Sequence, residues 1–238
     1  MPSAKQKLQT NESKASRFDF DPIADSYDSW YAGRRGAMYD RLEKKAIVRY
    51  LSPHAKGEKL LEVGCGTGHW SRFFSEYGFE VTGVDVSQRM IDIAKSKNIS
   101  NASFQVADGH FLPFADETFD VTAAITTLEF VRDAKAVVRE MVRCTRKPAG
   151  QLLIGTLNVL ARLNRNRKQK TESEYAKAQL FSPTQLKLLL EPFGRLTMIT
   201  AGFVPKQKLF LPLAPVIDTL GCILNIPYGV FIAAEVRL

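Results

Sequence analysis

Apolar positions along this chain switch between helix-like spacing and short unbroken runs. From Gly36 to Leu51 the stripe Met38, Leu42, Ala46, Ile47 and Tyr50 recurs at helical spacing and stops before Pro53, which predicts a helix. Lys59 to Val63 is a short apolar run entering glycines and reads as a buried strand. Trp70 to Tyr77 predicts a helix closed by Gly78, and Phe79 to Val86 a β-branched strand. Ser87 caps a helix carrying Met90, Ile91 and Ala94 on one face. Strands are expected at Ala102 to Ala107 and Phe119 to Ile125. A helix over Asp133 to Arg146, closed by Pro148 and Gly150, leads to a strand at Gln151 to Leu157. Ser182-Pro183 starts a helix through Leu190, with serine as cap and proline in the first turn. Leu196 to Val204 and Gly229 to Leu238 form a last strand pair, and no internal repeat is visible.

This alternation predicts an α/β fold, a mostly parallel sheet covered by helices on both faces. Leu152-Leu153-Ile154 has the continuous apolar character of a central strand. Ligands of such sheets bind outside the carboxyl ends of the strands, near the point where strand order reverses. The chemistry is therefore expected in the loops that follow the strands.

The first such loop is Glu62-Val63-Gly64-Cys65-Gly66-Thr67-Gly68. Glycines let the backbone turn with positive φ and leave no side chain between main chain and ligand. Alone, they describe an ordinary tight turn. Two acids at the next strand ends change that. Asp85 is placed to accept hydrogen bonds from both ribose hydroxyls, and Asp108 from an adenine amine. A dinucleotide fingerprint needs a further glycine where His69 stands, close to a pyrophosphate. Glu62 would repel a phosphate but tolerate a cationic sulfonium. These residues favour S-adenosylmethionine (SAM), which has no phosphate.

The string Leu60 to Gly68 resembles motif I of class I SAM-dependent methyltransferases. Val84-Asp85-Val86-Ser87 with Met90, Ala107-Asp108-Gly109 leading to Leu112-Pro113-Phe114, Phe119-Asp120, and Arg143 to Gly150 resemble the family's later blocks. Ala24, Tyr27, Asp28 and Trp30 resemble the N-terminal segment of its type 11 small-molecule group. The likeness runs from about Tyr27 to Gly194. It implies a Rossmann-like seven-stranded, mostly parallel sheet with an antiparallel last strand pair, and the products S-adenosyl-L-homocysteine and a methylated small acceptor. It further implies that Gly64, Cys65 and Gly66 pass under the methionine part, with Glu62 and Gly68 flanking the turn. Asp85 would hold the ribose, Val86 and Met90 the adenine faces, and Ala107, Asp108 and Gly109 the adenine edge. Ile125 and Thr126 would touch the methionyl group. Tyr27 and Trp30 would form part of a lid, although Trp30 fits a core anchor equally well. Pro148-Ala149-Gly150 departs from the family, which usually has a second glycine there, at a turn remote from the cofactor.

Charge and composition add bounds. Cys65, Cys144 and Cys222 are sparse and unpaired, which suits a reducing cytoplasm, and no acid/histidine set announces a metal. The net charge of +8 is concentrated in an expected flexible arm, residues 1–17, and in a stretch carrying Arg162, Arg165, Arg167, Lys168 and Lys170. Neither interleaves aromatics with basic residues, so nucleic acid is disfavoured and the second stretch reads as a solvated loop. Residues 18–238 read as one domain, with a lid and helix at 18–51 and substrate-side insertions at about 158–181 and 205–227. From Leu209 to Ala234 Asp218 is the only charge. Prolines and Asp218 argue against a membrane span there. The stretch fits a hydrophobic lid with the last strand, an apolar acceptor pocket, or a peripheral membrane contact. His69, His110, Glu129 and Tyr175 are the only candidates for a proton acceptor or pocket residue, and no catalytic residue is assigned. A SAM-binding regulatory protein without catalysis remains the alternative function.

Overall fold

The computed structural model describes residues 15–51, 56–170, 174–205 and 207–238. Seven strands form one sheet: β1 (Lys59–Val63), β2 (Glu80–Asp85), β3 (Ala102–Val106), β4 (Val121–Ile125), β5 (Gln151–Leu157), β6 (Arg195–Ala201) and β7 (Phe231–Arg237). Their order is β3-β2-β1-β4-β5-β7-β6. The first five pair in parallel, and β7 runs antiparallel to both β5 and β6. The expected Rossmann-like sheet and its antiparallel last pair are both present. Strand order reverses beside β1, so the crevice lies over the ends of β1 and β4.

Helices cover both faces: α1 (Arg34–Val48), α2 (His69–Tyr77), α3 (Gln88–Ser96), α4 (Ala134–Cys144), α5 (Arg162–Lys168), α6 (Pro183–Leu190) and α7 (Ala214–Ile223). Because strand side chains alternate, Leu61, Val63, Leu152 and Ile154 pack with Val137 and Met141 of α4 and Leu186 of α6. Leu60 and Leu153 point the other way, onto Ile47 of α1 and Trp70 and Phe74 of α2. Local signals set the helix ends. The hydroxyl of Ser87 accepts from the Met90 amide, and Asp133 accepts from the Ala136 amide. Ser182 and Gln185 form a reciprocal capping box. Gly78 closes α2 with a φ of 119°.

Two expectations need correction. Of the expected flexible arm, residues 1–14 lie outside the described residues, but Ala15 is buried and Ser16 bridges to Val131. The Arg17 amide also donates to the Phe130 carbonyl. The basic stretch read as a loop contains helix α5. Its composition gives no such signal, because the helix is fixed by one buried amide. Asn164 donates to the carbonyls of Asn158 (2.9 Å) and Val230 (2.8 Å). Replacing Asn164 with Ala removes both bonds and is expected to cost about 2 kcal/mol. Urea unfolding checks this, and an unchanged midpoint would remove the anchor role.

Candidate functional site

The glycine loop is held from β2. The Val84 carbonyl accepts from the amides of Gly64 (2.7 Å) and Cys65 (3.0 Å), which turns the chain out of β1. One oxygen of Asp85 accepts from the Gly66 amide at 2.9 Å, and the other from the Ser87 amide at 3.0 Å. Burial pushes the Asp85 pKa up, and the backbone bonds from Ser87 and Gly66 work against that. Gly64 and Gly66 have φ of 73° and 52°. A Cβ on Gly64 would lie 2.3 Å from the Thr127 side chain, whereas one on Gly66 would meet only the Tyr27 ring edge, at 4.0 Å. Gly66 therefore faces open space. Its glycine keeps a ligand-sized approach free as well as the turn.

That space is a cavity of 80 Å³. Its floor and walls are Gly64 and Gly66, then Asp85, Val86 and Met90, then Ala107, Asp108 and Gly109, with Thr126 from the end of β4. Tyr27, Phe20, Ala15 and Ser16 close it from the N-terminal side, with Phe130 and Val131 beside them. The structure thus brings together Tyr27, Gly64, Gly66, Asp85, Val86, Met90, Ala107, Asp108, Gly109 and Thr126 of the expected site. Burial would raise the Asp108 pKa, but hydrogen bonds from the His110 ring (2.6 Å) and amide hold it below the usual carboxylate range. Nε2 of His110 accepts from the Asp133 amide, so the ring proton sits on Nδ1, facing Asp108. Thr126 keeps a φ of 49°, an unfavourable conformation held at the strand end where the cavity needs a sharp turn.

Five expected residues stand outside this wall. Cys65 packs inward against Ile91 and Phe104, and Gly68 caps α2 with a φ of 80°. Ile125 belongs to the core on the α1 and α2 face. Glu62 is buried beneath the loop, where the Ser71 hydroxyl of α2 donates to it. It faces the helix because the strand's alternation turns it away from the cavity. Trp30, partly exposed, is neither a core anchor nor part of this cavity.

Trp30 instead lines a second, larger cavity of about 1240 Å³, adjacent to the first and sharing four of its lining residues: Phe20, Tyr27, Thr126 and Phe130. Tyr31, Tyr39, Tyr175 and Leu157 add apolar and aromatic surface, and Arg34, Arg35, Arg167, Lys170 and Glu43 add charge. The Arg167 guanidinium lies 4.5 Å from the Trp30 ring centre and 5.1 Å from that of Tyr175. Tyr175, one of the candidate pocket residues, therefore reaches the wall. Glu129 does not: it is fully buried behind the wall and accepts from the Leu157 amide. His69 starts α2 and stacks on Tyr31 at 3.7 Å, with Asp40 bonded to its ring at 2.7 Å. Burial lifts the Glu43 pKa to about 8, with Asp40 adding to the rise. Phe20, Phe130 and Glu43 escaped the sequence reading. Helical and strand periodicity find core positions, and these sit on a lid, a loop and the inner edge of α1. The only available signal was the aromatic pair Phe18 and Phe20 beside the Tyr27 block.

A family model described as a methyltransferase domain matches residues 61–154. An uncharacterized protein of Methanocaldococcus jannaschii is 31% identical over 178 residues, covering 74% of this chain and 80% of that protein. The malonyl-[acyl-carrier protein] O-methyltransferase of Serratia marcescens is 34% identical over 138 residues, 58% of this chain and 51% of the enzyme. This chain therefore spans about half of the Serratia enzyme's length. A solved structure from Thermotoga maritima, a SAM-dependent methyltransferase described as a possible histamine N-methyltransferase, superposes with a TM-score of 0.71. It is 22% identical and the match covers 92% of this chain and 97% of that one. The chain belongs to the class I SAM-dependent methyltransferases.

In this methyltransferase the residues present fit the cofactor's chemistry. Gly66 leaves room over the loop, and two carboxylates stand at successive strand ends.

Glu62 gives a pH test. Burial raises its pKa from 4.5 to about 8, so the folded chain keeps a proton that the unfolded chain releases. Stability from this group is full below pH 4.5 and is lost as pH rises toward 8. Glu62→Gln should therefore stabilise the protein near pH 8 and gain little in mild acid. Denaturant melts at the two pH values check it, and a difference independent of pH counts against a buried, protonated Glu62.

Proposed function

We propose that this methyltransferase moves a methyl group to an oxygen of a small, largely apolar or aromatic acceptor held in the second cavity. One observation carries the reading: the two cavities share Phe20, Tyr27, Thr126 and Phe130, so ligands in both would lie side by side. The name of the Serratia relative, an O-methyltransferase, supports oxygen as the acceptor atom. The expected substrate-side segments support the division of labour, since Arg167, Lys170, Tyr175 and Leu211 line only the second cavity.

On this reading Asp85 accepts from the ribose hydroxyls, Val86 and Met90 pack on the adenine, and Asp108 takes its amine. When bound, SAM supplies an activated methyl on a cationic sulfur. The chain's task would then be positional: aromatic walls would hold the acceptor oxygen toward the methyl group and keep water out. Glu43 is the carboxyl on the acceptor wall, and as a carboxylate it takes the acceptor's proton. Its pKa of about 8 makes it a stronger base than an exposed glutamate, ionised increasingly as pH rises through that value.

The cofactor half predicts that Asp85→Ala weakens SAM binding about ten-fold or more, the loss of hydrogen bonds to a charged group. Gly66→Ala should do at least as much, because its Cβ enters the cavity without meeting the protein. Calorimetric titration with S-adenosyl-L-homocysteine reads both, and unchanged affinity would remove the ribose and loop assignments. The acceptor half is tested with methyl-labelled SAM and a metabolite extract, followed by mass identification of the labelled product. A methyl ether or ester of a small aromatic or apolar molecule is expected. SAM binding with no labelled product would favour a regulatory SAM-binding role instead.

A further inference from the structure

Helix α7 is built inside out. Its inward face is Ala214, Asp218, Gly221 and Cys222, while Leu213, Val216, Ile217, Leu220, Ile223 and Leu224 point to solvent. The outward residues recur at three- and four-residue steps, so they form one continuous stripe. Leu220 is 54% exposed and Ile223 69%. Monomers rarely leave such a contiguous apolar face open unless something covers it. The face also has a charged border. Lys45 of α1 donates to the Thr219 hydroxyl of α7 at 2.9 Å, and Arg41 and Arg49 stand one helical step to either side of it, exposed. Asp218, the only acid of the helix, is turned inward and bonded to the amides of Gly202 and Phe203.

An uncharged apolar stripe beside a row of basic side chains is complementary to an anionic bilayer, with acyl chains under one and headgroups against the other. A water-soluble partner would explain the apolar stripe but not the uniform sign of the charges along its edge. Among the described residues no helix is long and apolar enough to cross a membrane, so contact through α7 would be peripheral. We propose that α7 and the basic row of α1 dock this protein on the surface of an anionic membrane. Leu211, in the turn before α7, lines the second cavity, so the docked face adjoins the acceptor side. The docking itself does not depend on which acceptor is used.

Flotation with vesicles tests this on the full chain. The protein is expected to float with vesicles of mixed phosphatidylglycerol and phosphatidylcholine, more weakly with phosphatidylcholine alone, and less in high salt. Leu220→Ser with Ile223→Ser should abolish flotation while S-adenosyl-L-homocysteine binding is kept. Arg41→Ser with Arg49→Ser, which leaves the apolar face intact, should lower affinity for the anionic vesicles roughly 25-fold, about five-fold per basic side chain. The proposal is overturned if the wild-type chain does not float with anionic vesicles, or if the serine pair floats as well as wild type. Sedimentation of the wild type as a dimer that the serine pair splits, with no flotation of either, would likewise overturn it and assign the face to a second copy.

Discussion

The bond between the Gly66 amide and the Asp85 carboxylate is the constraint on which the site depends. It joins the loops that follow β1 and β2, so the turn after β1 cannot move without the end of β2. It also explains why one acid is asked to do two things. Asp85 holds the loop through one oxygen and the start of α3 through the other, and it still lies on the cavity wall. A half-buried carboxylate is costly, and the amide hydrogen bonds offset part of that cost. Glycine at 66 then completes the arrangement, because any side chain there would fill the space that the bond creates.

Polar side chains add ties between the lid and this loop. The Thr67 hydroxyl donates to Asp28 at 2.6 Å, and Lys97, just past the end of α3, reaches the other oxygen of Asp28. Burial would raise the Asp28 pKa, and these two partners pull it below its usual value, so the clasp is ionic. Ser87 adds a second tie, to Asp21. Exposed and half-exposed polar ties of this kind are individually weak. They contrast with the apolar layers that fix α1, α2 and α4.

Much of the central architecture was legible because each element carried its own punctuation. β1, α2, the Ser87 cap and the Ser182 cap are specified within a few residues, and the structure keeps them within a residue or two of the reading. The carboxyl ends of the first three strands follow from the same periodicity, so Gly64, Asp85 and Asp108 could be expected together, and the family resemblance added Thr126. What failed to show was anything decided by a distant contact. Helix α5 depends on Asn164 reaching Val230, and the second cavity depends on α1 lying opposite Tyr175 and Arg167. Glu62 was legible as a residue but not as a direction. Its charge suggested the cofactor's cationic end, while the pleat of β1 sends it to Ser71.

Helix α7 shows the same limit more sharply. Its sequence has apolar residues on nearly every side, so periodicity alone cannot say which face is inward. The deciding contact is Gly221, where a Cβ would come within 2.5 Å of the Phe203 ring. Only the small face of the helix can approach that closely. Asp218 lies on this face too, and its bonds to the Gly202 and Phe203 amides fix the turn after β6. Burying the small and polar residues necessarily turns the leucines and isoleucines out. The exposed stripe is thus not an accident of composition but the consequence of a close-packed inner face. Most of that face is open to solvent, so the fold does not depend on its being apolar, and its full hydrophobicity points to a function outside the fold.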